Sequence, residues 1–336
     1  MTEALVALQD VKKHFPVKRS FVDGLLGAKA KQVRAVDGVS LEIQKGATFV
    51  LVGESGSGKT TLGKLALRVY LPTSGEVLFE GQSLANLRGS GLQGFRRSAQ
   101  MIYQDPVAAL NPRTRIGDAI GEPLRFHGMK DEAERRGRVL AMMRKVGFDP
   151  AEDFYARYPH EISGGQRQRV VIARALILNP KFVVADEPVA MLDVSIRAQI
   201  LKLLLDLKVE MNLTLLIITH DIAIAKYFAD RVAIMYLGQV VELAPREEIF
   251  EDPMHPYTKA LFSSVPIPDP DASTNRLIIK GEIPSAINPP PACRFNPRCP
   301  YAFERCRVDE PPLVQRKRDH LVSCHLYDGK AGPPTG

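Results

Sequence analysis

Hydrophobic positions along the chain fall into two kinds of segment, and together these predict a mixed α/β fold. Short apolar runs bounded by turn residues are typical of strands, and longer runs with apolar residues three or four positions apart are typical of helices. The predicted strands are 4–15, 32–43, 48–52, 76–80, 99–103, 182–185, 213–219, 231–236 and 239–243. The predicted helices are 60–69, 163–178, 195–210 and 221–228, and a charged helical region covers about 116–148, most clearly 131–145. Strands that alternate with helices indicate an α/β sheet.

Two of these strands, one turn and a change of composition predict how the chain is organised. Residues 182–185 and 213–219 are apolar without alternation, as in parallel strands buried on both faces. Residues 231–236 and 239–243 predict a hairpin about Gly238. From residue 252 onward prolines accumulate, and proline cannot donate a ladder hydrogen bond. We therefore expect a main domain over 1–250 and a proline-rich, loop-rich C-terminal domain over 251–336.

The composition restricts where the protein works. The chain has 336 residues, 45% of them hydrophobic, and no apolar run approaches the roughly 18 residues of a membrane span. The acidic N-terminal segment lacks the basic and apolar regions of a signal peptide. We therefore expect a cytoplasmic protein that works at a membrane only by docking on a separate membrane subunit.

The net charge of +7 changes this picture little, because the basic residues are scattered and nucleic-acid binding is not favoured. One group surrounds residues 21–26 and consists of Lys18, Arg19, Lys29, Lys31 and Arg34. A solvated loop is the favoured interpretation of this group. Contact with lipid headgroups or with a membrane partner is the alternative.

A glycine-rich segment predicts a nucleotide site. Residues 53–60 read GESGSGKT and fit the pattern G-x-x-x-x-G-K-[ST] between a predicted strand and a predicted helix, a context that argues against a chance turn. Loop amides and the positive end of the helix favour phosphates. We expect Lys59 to reach the β- and γ-phosphates and the Thr60 hydroxyl to ligate Mg²⁺. The expected nucleotide contacts here are Ser55, Gly56, Ser57, Gly58, Lys59, Thr60 and Thr61.

Two carboxylates follow the buried strand 182–185. Asp186 and Glu187 come at the carboxyl end of this strand, where α/β sheets place their ligands. We expect Asp186 to serve Mg²⁺, directly or through water, and Glu187 to position and polarise an attacking water. A solvated acidic turn is the alternative, which the phosphate loop makes less favoured.

A second glycine-containing segment, Ser163-Gly164-Gly165-Gln166, opens the helix 163–178. Its amides and the Ser163 hydroxyl can hold a γ-phosphate by the same helix-end effect, although an ordinary helix cap is the bland interpretation. Together with the phosphate loop and the two carboxylates, this segment resembles the signature of ABC-type ATPases. The resemblance implies an ABC-type phosphate-loop ATPase that uses ATP and Mg²⁺. It implies a helical subdomain over about 105–165, an antiparallel β subdomain, and a Cys-containing C-terminal extension.

The resemblance also assigns roles to isolated residues. Gln104 resembles the glutamine that senses Mg²⁺ and water, and His220 resembles the switch histidine that contacts the γ-phosphate. Phe15 is a candidate for stacking on adenine, or else a core residue of its strand. Asp193 matches the loop that crosses between two ATPase subunits, where the usual serine is Ala190 here. In this family the signature of one subunit closes over the ATP held by the other.

Further segments resemble, more narrowly, the ATP-binding subunits of bacterial oligopeptide and dipeptide ABC importers. These segments are 13–17, 34–40, 104–113, 255–258, 281–285 and 293–300. The resemblance implies ATP hydrolysis that powers import of peptides or similar small solutes. It implies a homologous second ATPase, two integral-membrane permeases and an extracytoplasmic solute-binding protein, with this chain peripheral on the cytoplasmic side of the cell membrane. A soluble ABC ATPase not coupled to transport, or a regulatory ATP-binding subunit, is the alternative.

All four cysteines, Cys293, Cys299, Cys306 and Cys324, lie in the last 44 residues. Disulfides are not favoured in a cytosolic protein, so the clustering indicates a metal or cluster site. The spacing C-x5-C-x6-C-x17-C is not a zinc signature by itself. Four thiolates can also hold a [4Fe–4S] cluster, and the cysteine arrangement of this tail resembles that of the importer ATPases. We expect a [4Fe–4S] cluster with a structural role, with zinc or free thiols as alternatives.

Overall fold

The computed structural model describes residues 4–17, 31–263, 279, 281–282, 284–287, 289 and 292–328. The described strands are β1 (Ala4–Pro16), β2 (Gln32–Gln44), β3 (Thr48–Val52), β4 (Ser74–Phe79), β5 (Gln82–Ser83), β6 (Ala99–Ile102), β7 (Phe182–Asp186), β8 (Thr214–Thr219), β9 (Arg231–Tyr236), β10 (Gln239–Pro245), β11 (Val314–Lys317) and β12 (His320–Val322). The described α-helices are α1 (Lys59–Ala66), α2 (Gly89–Ser98), α3 (Pro106–Ala109), α4 (Ile116–Phe126), α5 (Glu132–Lys145), α6 (Ala151–Tyr155), α7 (Gly164–Leu176), α8 (Val194–Met211), α9 (Ile222–Phe228), α10 (Arg246–Glu251), α11 (Pro256–Ser263) and α12 (Glu304–Val308).

The chain divides into two compact units, each made of several segments. The first unit comprises Met1–Val6, Ile43–Thr48 and Phe79–Ile218. The second unit comprises Ala7–Glu42, Phe49–Leu78 and Thr219–Gly336.

The first unit contains the three parallel strands β6, β7 and β8. Phe182 pairs with Ala99 on one side and with Thr214 on the other, in parallel register. Every residue of β7 and β8 is buried, so the prediction of parallel strands covered on both faces is confirmed. The predicted helical region 116–148 is two helices, α4 and α5, because Gly128 adopts a positive φ of 93° just after α4 ends.

The second unit contains a sheet in which β3 pairs in parallel with β9, and β10 and β12 follow in antiparallel pairs. The hairpin between β9 and β10 is confirmed, with Gln239 opposite Tyr236 and Gly238 at φ +86°. In a further sheet β1 lies between β2 and β4.

The C-terminal part has more regular structure than the proline-rich composition predicts. Strand β12 pairs with β10, so that Leu321 lies opposite Leu243, and β11 pairs with β12. Val322 is fully buried in a small core with Met254, Cys324 and Leu326. These strands are short and their partner lies far away in sequence, so local periodicity gives no signal for them. The predicted domain boundary near residue 250 stays a prediction.

In the ranges that the structure covers, no helix combines the length and apolar composition that a membrane span requires. The basic group falls mostly on residues 18–30, which lie outside the described residues.

Candidate functional site

The phosphate loop of the second unit joins the fully buried strand β3 to helix α1. Two of its glycines are required by close approach of the backbone. A Cβ at Gly53 would lie 2.3 Å from the Met235 carbonyl oxygen, and one at Gly58 would lie 2.0 Å from the Ala35 carbonyl oxygen. Gly58 also caps α1 at φ +104°, a conformation that side chains rarely adopt. The strand–loop–helix arrangement predicted for residues 48–69 is therefore present.

Lys59 is buried and lies over this loop. Its Nζ donates to the carbonyl oxygens of Gly53 at 2.7 Å and Glu54 at 2.9 Å. The Ser57 hydroxyl lies 3.4 Å from the same Nζ. The positive charge of Lys59 is thus held beside a loop in which Ser55 and Gly56 are exposed. The lysine charge and the backbone N–H groups of such a loop are donors suited to phosphate oxygens.

Glu54, in the same loop, contacts the C-terminal segment, which the sequence motif does not predict. Its backbone N–H donates to the hydroxyl of Tyr257 at 2.9 Å. Its carboxylate accepts two hydrogen bonds from Arg298, at 2.7 and 3.2 Å.

Phe15 and His220 also belong to the second unit. Phe15 is partly buried in β1, and its ring packs edge-on against Tyr70 with 5.5 Å between centroids. His220 is exposed directly after β8. The next residue, Asp221, caps helix α9 by accepting from Ala223 N–H at 2.8 Å. The stacking role of Phe15 and the switch role of His220 stay predictions.

The two predicted carboxylates of the first unit end strand β7. Asp186 is 5% exposed at the last position of this strand. Glu187 follows with a positive φ of 45°, and its N–H donates to the Ile218 carbonyl at 2.8 Å. An L-residue in this region costs about 1–2 kcal/mol, so the surrounding structure has to hold Glu187 there.

Gln104 and Glu187 are brought together in this unit although 83 positions separate them. The side-chain amide of Gln104 donates from Nε2 to Oε2 of Glu187 at 3.2 Å. Glu187 is predicted to polarise the attacking water and Gln104 to sense Mg²⁺ and water, and these two roles stay predictions.

The Ser163–Gln166 segment forms the start of α7 as a reciprocal cap. Gln166 N–H donates to Ser163 Oγ at 3.2 Å, and Ser163 N–H donates to Gln166 Oε1 at 3.0 Å. Ser163 and Gly164 are exposed, whereas Gly165 is buried. A Cβ at Gly165 would lie 2.8 Å from Cγ2 of Ile196 in helix α8. Gly165 thus has a packing reason that differs from close approach to a phosphate.

The loop before helix α8 is exposed on the first unit. Asp193 lies at the N-cap position without a side-chain cap, and its backbone carbonyl accepts from Ile196 and Arg197. Met191 and Val194 on either side are 63% and 80% exposed.

The four cysteines all lie in the second unit and are unpaired. Burial is the main cause that raises the pKa of Cys293 to about 11 and those of Cys299 and Cys324 to about 12. Other cysteines would raise these pKa values further in their thiolate forms, because like charges repel. Among the described residues, no group of three or more His, Cys, Asp or Glu side chains has a geometry that could hold a metal ion.

Comparison with known proteins identifies the family. A family model described as "ABC transporter" matches residues 36–190, and one described as "Oligopeptide/dipeptide transporter, C-terminal region" matches residues 241–306. The oligopeptide transport ATP-binding protein AppF of Bacillus subtilis is 46% identical over 97% of this chain and 98% of its own length. The corresponding protein OppF of Salmonella typhimurium is 47% identical over 97% of each chain. The chain belongs to the ATP-binding subunits of oligopeptide and dipeptide ABC transporters.

Solved ATP-binding cassettes support the same conclusion for this ABC ATPase. The cassette MJ0796, in a dimeric post-hydrolysis state bound to ADP and Pi, matches with a TM-score of 0.62 and 30% identity. The match covers 72% of this chain and 98% of that cassette. The family and the ABC fold predicted from the motifs are confirmed. As an ABC ATPase, the protein hydrolyses ATP to drive transport.

Proposed function

We propose that this subunit powers the import of peptides, or of similar small solutes, through a membrane permease. The observation that carries the proposal is the match of residues 241–306 to the C-terminal region of oligopeptide and dipeptide transporters, which is separate from the cassette match at 36–190. The dipeptide transport ATP-binding protein DppF of Haemophilus influenzae is 46% identical over 95% of this chain, and its name likewise describes peptide transport.

The proposed chemistry gives each motif one task. Lys59 and the loop residues Ser55 to Thr61 bind the phosphates of ATP, and Thr60 and Asp186 serve Mg²⁺. Glu187 polarises the attacking water, and Gln104 orients that carboxylate through the 3.2 Å contact. His220 contacts the γ-phosphate and Phe15 stacks on adenine.

The proposed assembly is a pair of homologous ATPases that close over ATP. Ser163, Gly164, Gly165 and Gln166 form a helix start whose first two residues are exposed, and Asp193 lies in an exposed apolar loop. Both segments therefore suit contact with ATP and with residues of a second subunit. Closure is driven by tighter ATP binding to the closed state.

The proposed membrane partners are two permeases, supplied by an extracytoplasmic solute-binding protein, with this chain peripheral on the cytoplasmic side. Exposed apolar side chains of the first unit support a docking surface there: Val107 is 60% exposed and Phe126 is 88% exposed. Val107 lies in the segment where the importer family often has Tyr-Ala-Ser, so coupling to the permease can differ in detail.

Three variants test this proposal. Glu187→Gln should keep ATP binding and lower steady-state hydrolysis about 10²–10⁴-fold, because it removes the group that polarises water. Lys59→Ala should lose ATP affinity in the isolated subunit, whereas Ser163→Arg should keep that affinity and block hydrolysis in the assembled pair. Near-normal turnover of Glu187→Gln would refute the catalytic role of Glu187. Equal loss of ATP binding in Lys59→Ala and Ser163→Arg would refute the proposal that Ser163 contacts ATP held by the second subunit. Co-purification with a permease tests the coupling to transport.

For the cysteines we propose a structural [4Fe–4S] cluster, with zinc as the alternative. Burial raises the pKa values of Cys293, Cys299 and Cys324, and a bound cationic centre would lower them and favour the thiolate forms. A single zinc ion requires sulfurs about 3.8 Å apart, from Zn–S bonds of about 2.3 Å in a tetrahedron. A cluster is larger and accepts thiolates that lie further apart. When bound, the group would supply cross-links within the tail and no step of ATP hydrolysis.

Metal analysis of anaerobically purified protein tests the cluster. A brown protein with broad absorbance near 400 nm and about four irons per chain is the expected result. Stoichiometric zinc in a colourless protein would decide for zinc, and absence of both metals would refute a metal role.

A further inference from the structure

The most informative contact outside the known motifs joins the cysteine-bearing tail to the phosphate loop within the second unit. Arg298 precedes Cys299, and its guanidinium donates to both carboxylate oxygens of Glu54, at 2.7 and 3.2 Å. The arginine side chain is 8% exposed and the glutamate side chain 26% exposed. A two-pronged, largely buried pair of this kind is among the stronger polar contacts in proteins and fixes the direction of the carboxylate.

An aromatic cluster holds Arg298 in place. The guanidinium lies 5.9 Å from the centre of the Tyr236 ring and donates to the Tyr236 hydroxyl at 3.4 Å. Tyr236 packs on Tyr257 with 4.7 Å between ring centroids, and Phe295 packs on both tyrosines at 5.4 Å. All three rings are almost fully buried, so the arginine has little freedom to leave Glu54.

Every polar group of Glu54 is thereby engaged. The N–H donates to Tyr257, the carboxylate accepts from Arg298, and the carbonyl accepts from Lys59 Nζ at 2.9 Å and from Ser57 N–H at 3.2 Å. Glu54 therefore links the tail on one side to the phosphate-binding lysine on the other. A second tail arginine, Arg294, donates to the Asp37 carboxylate and to the Leu237 carbonyl, and neither partner belongs to the loop.

We propose that Arg298 is a positioning residue for ATP binding, which acts through the Glu54 carboxylate to hold the phosphate loop in the shape that places Lys59. The proposal rests on the phosphate-binding role of Lys59 given above. In this proposal Arg298 acts only through Glu54, so its loss should affect the affinity for ATP and leave turnover at saturating ATP nearly unchanged.

The test measures the dissociation constant for Mg²⁺–ATP in the full-length chain, and KM and kcat in the assembled transporter. Arg298→Ala should raise the dissociation constant roughly 5- to 50-fold, as expected for loss of a charge-assisted pair. Arg298→Lys should rescue part of this loss, since lysine keeps the charge but cannot supply two parallel N–H groups. Arg305→Ala is the matched control: Arg305 pairs with Asp328 at 2.9 Å in the same tail and is half exposed. It should change the affinity less than about twofold.

A double-mutant cycle separates positioning from a merely structural role. Glu54→Gln should weaken ATP binding by itself, and Arg298→Ala should add little to it, because both act through one contact. Additive effects of the two changes on ATP affinity would overturn the proposal. If Arg298→Ala fails to fold, Arg298→Lys and Glu54→Gln take its place, and parental ATP affinity in both variants would overturn the proposal. Lys59→Ala is included throughout: parental affinity in that variant would refute the proposed phosphate site itself, a result distinct from failure of Arg298 alone.

Discussion

Alanine at Gly58 should destabilise the protein far more than alanine at Gly56, although both replace a phosphate-loop glycine with a positive φ. Gly56 has φ +78° and no heavy atom within 4 Å of the added Cβ. Gly56→Ala should therefore lose only about 1–2 kcal/mol of stability, the cost of a left-handed conformation for an L-residue. Gly58 has φ +104°, and its Cβ would lie 2.0 Å from the Ala35 carbonyl oxygen in β2. Because the contacting atom belongs to the backbone, either strand β2 or the phosphate loop has to shift. This overpacking adds about 1–3 kcal/mol to the loss of stability.

Thermal unfolding checks this difference. At about 2–4 °C per kcal/mol for a large domain, Gly58→Ala should unfold about 2–12 °C below Gly56→Ala. Saturating Mg²⁺–ATP, at 100 times its dissociation constant, should stabilise the parent by about 2.7 kcal/mol. We expect Gly56→Ala to keep part of this gain and Gly58→Ala to lose it. Equal midpoints of the two variants, or equal stabilisation by ATP, would refute the argument from close approach.

Three further predictions concern other parts of the fold. Gly165→Ala should be less stable than Gly164→Ala by about 1 kcal/mol, because only the former meets a neighbour at 2.8 Å, and denaturant midpoints measure this. Asp37→Asn should destabilise at pH 7, and the loss should shrink in acid. Burial raises the pKa of the Asp37 carboxyl, but hydrogen bonds from His14 and Arg294 outweigh burial and hold this pKa below its ordinary value. The stabilisation is therefore present above the ordinary pKa and is lost as the pH falls through the lowered one. His320→Ala should lower the free energy of unfolding by about 2–3 kcal/mol, because the fully buried Glu242 loses its hydrogen-bond partner 2.8 Å away. Urea unfolding measures this loss, and Asp319→Ala at the exposed neighbouring position should cost much less.

Sequence reasoning succeeds here where the signal is local. The phosphate loop, the buried strands β7 and β8 and the capped start of α7 each follow from residues adjacent in the chain. Gln104 and Glu187 are each predicted as site residues from their motif positions, but their 3.2 Å contact is visible only in the structure. The ABC family likewise follows from the signature segment.

What the sequence does not show depends on contacts between distant segments. Residues 314–322 carry too few apolar positions to predict strands, and they form because β10 offers an edge with matching hydrogen-bond groups. The burial of Gly165 against Ile196 depends on how two helices pack. The contact between Glu54 and Arg298 joins two polar residues that look exposed by composition alone, and no periodicity relates them.

The distance between Glu54 and Arg298 along the chain has a consequence for biosynthesis. Arg298 is made 244 residues after its partner. At about 5–20 residues per second, the ribosome adds the arginine roughly 12–50 s after the glutamate. During that interval the nascent phosphate loop lacks the tail contacts that surround Glu54. A nascent chain is thus expected to bind ATP weakly until the segment that carries Arg298 has been made, which delays nucleotide binding and assembly to that point.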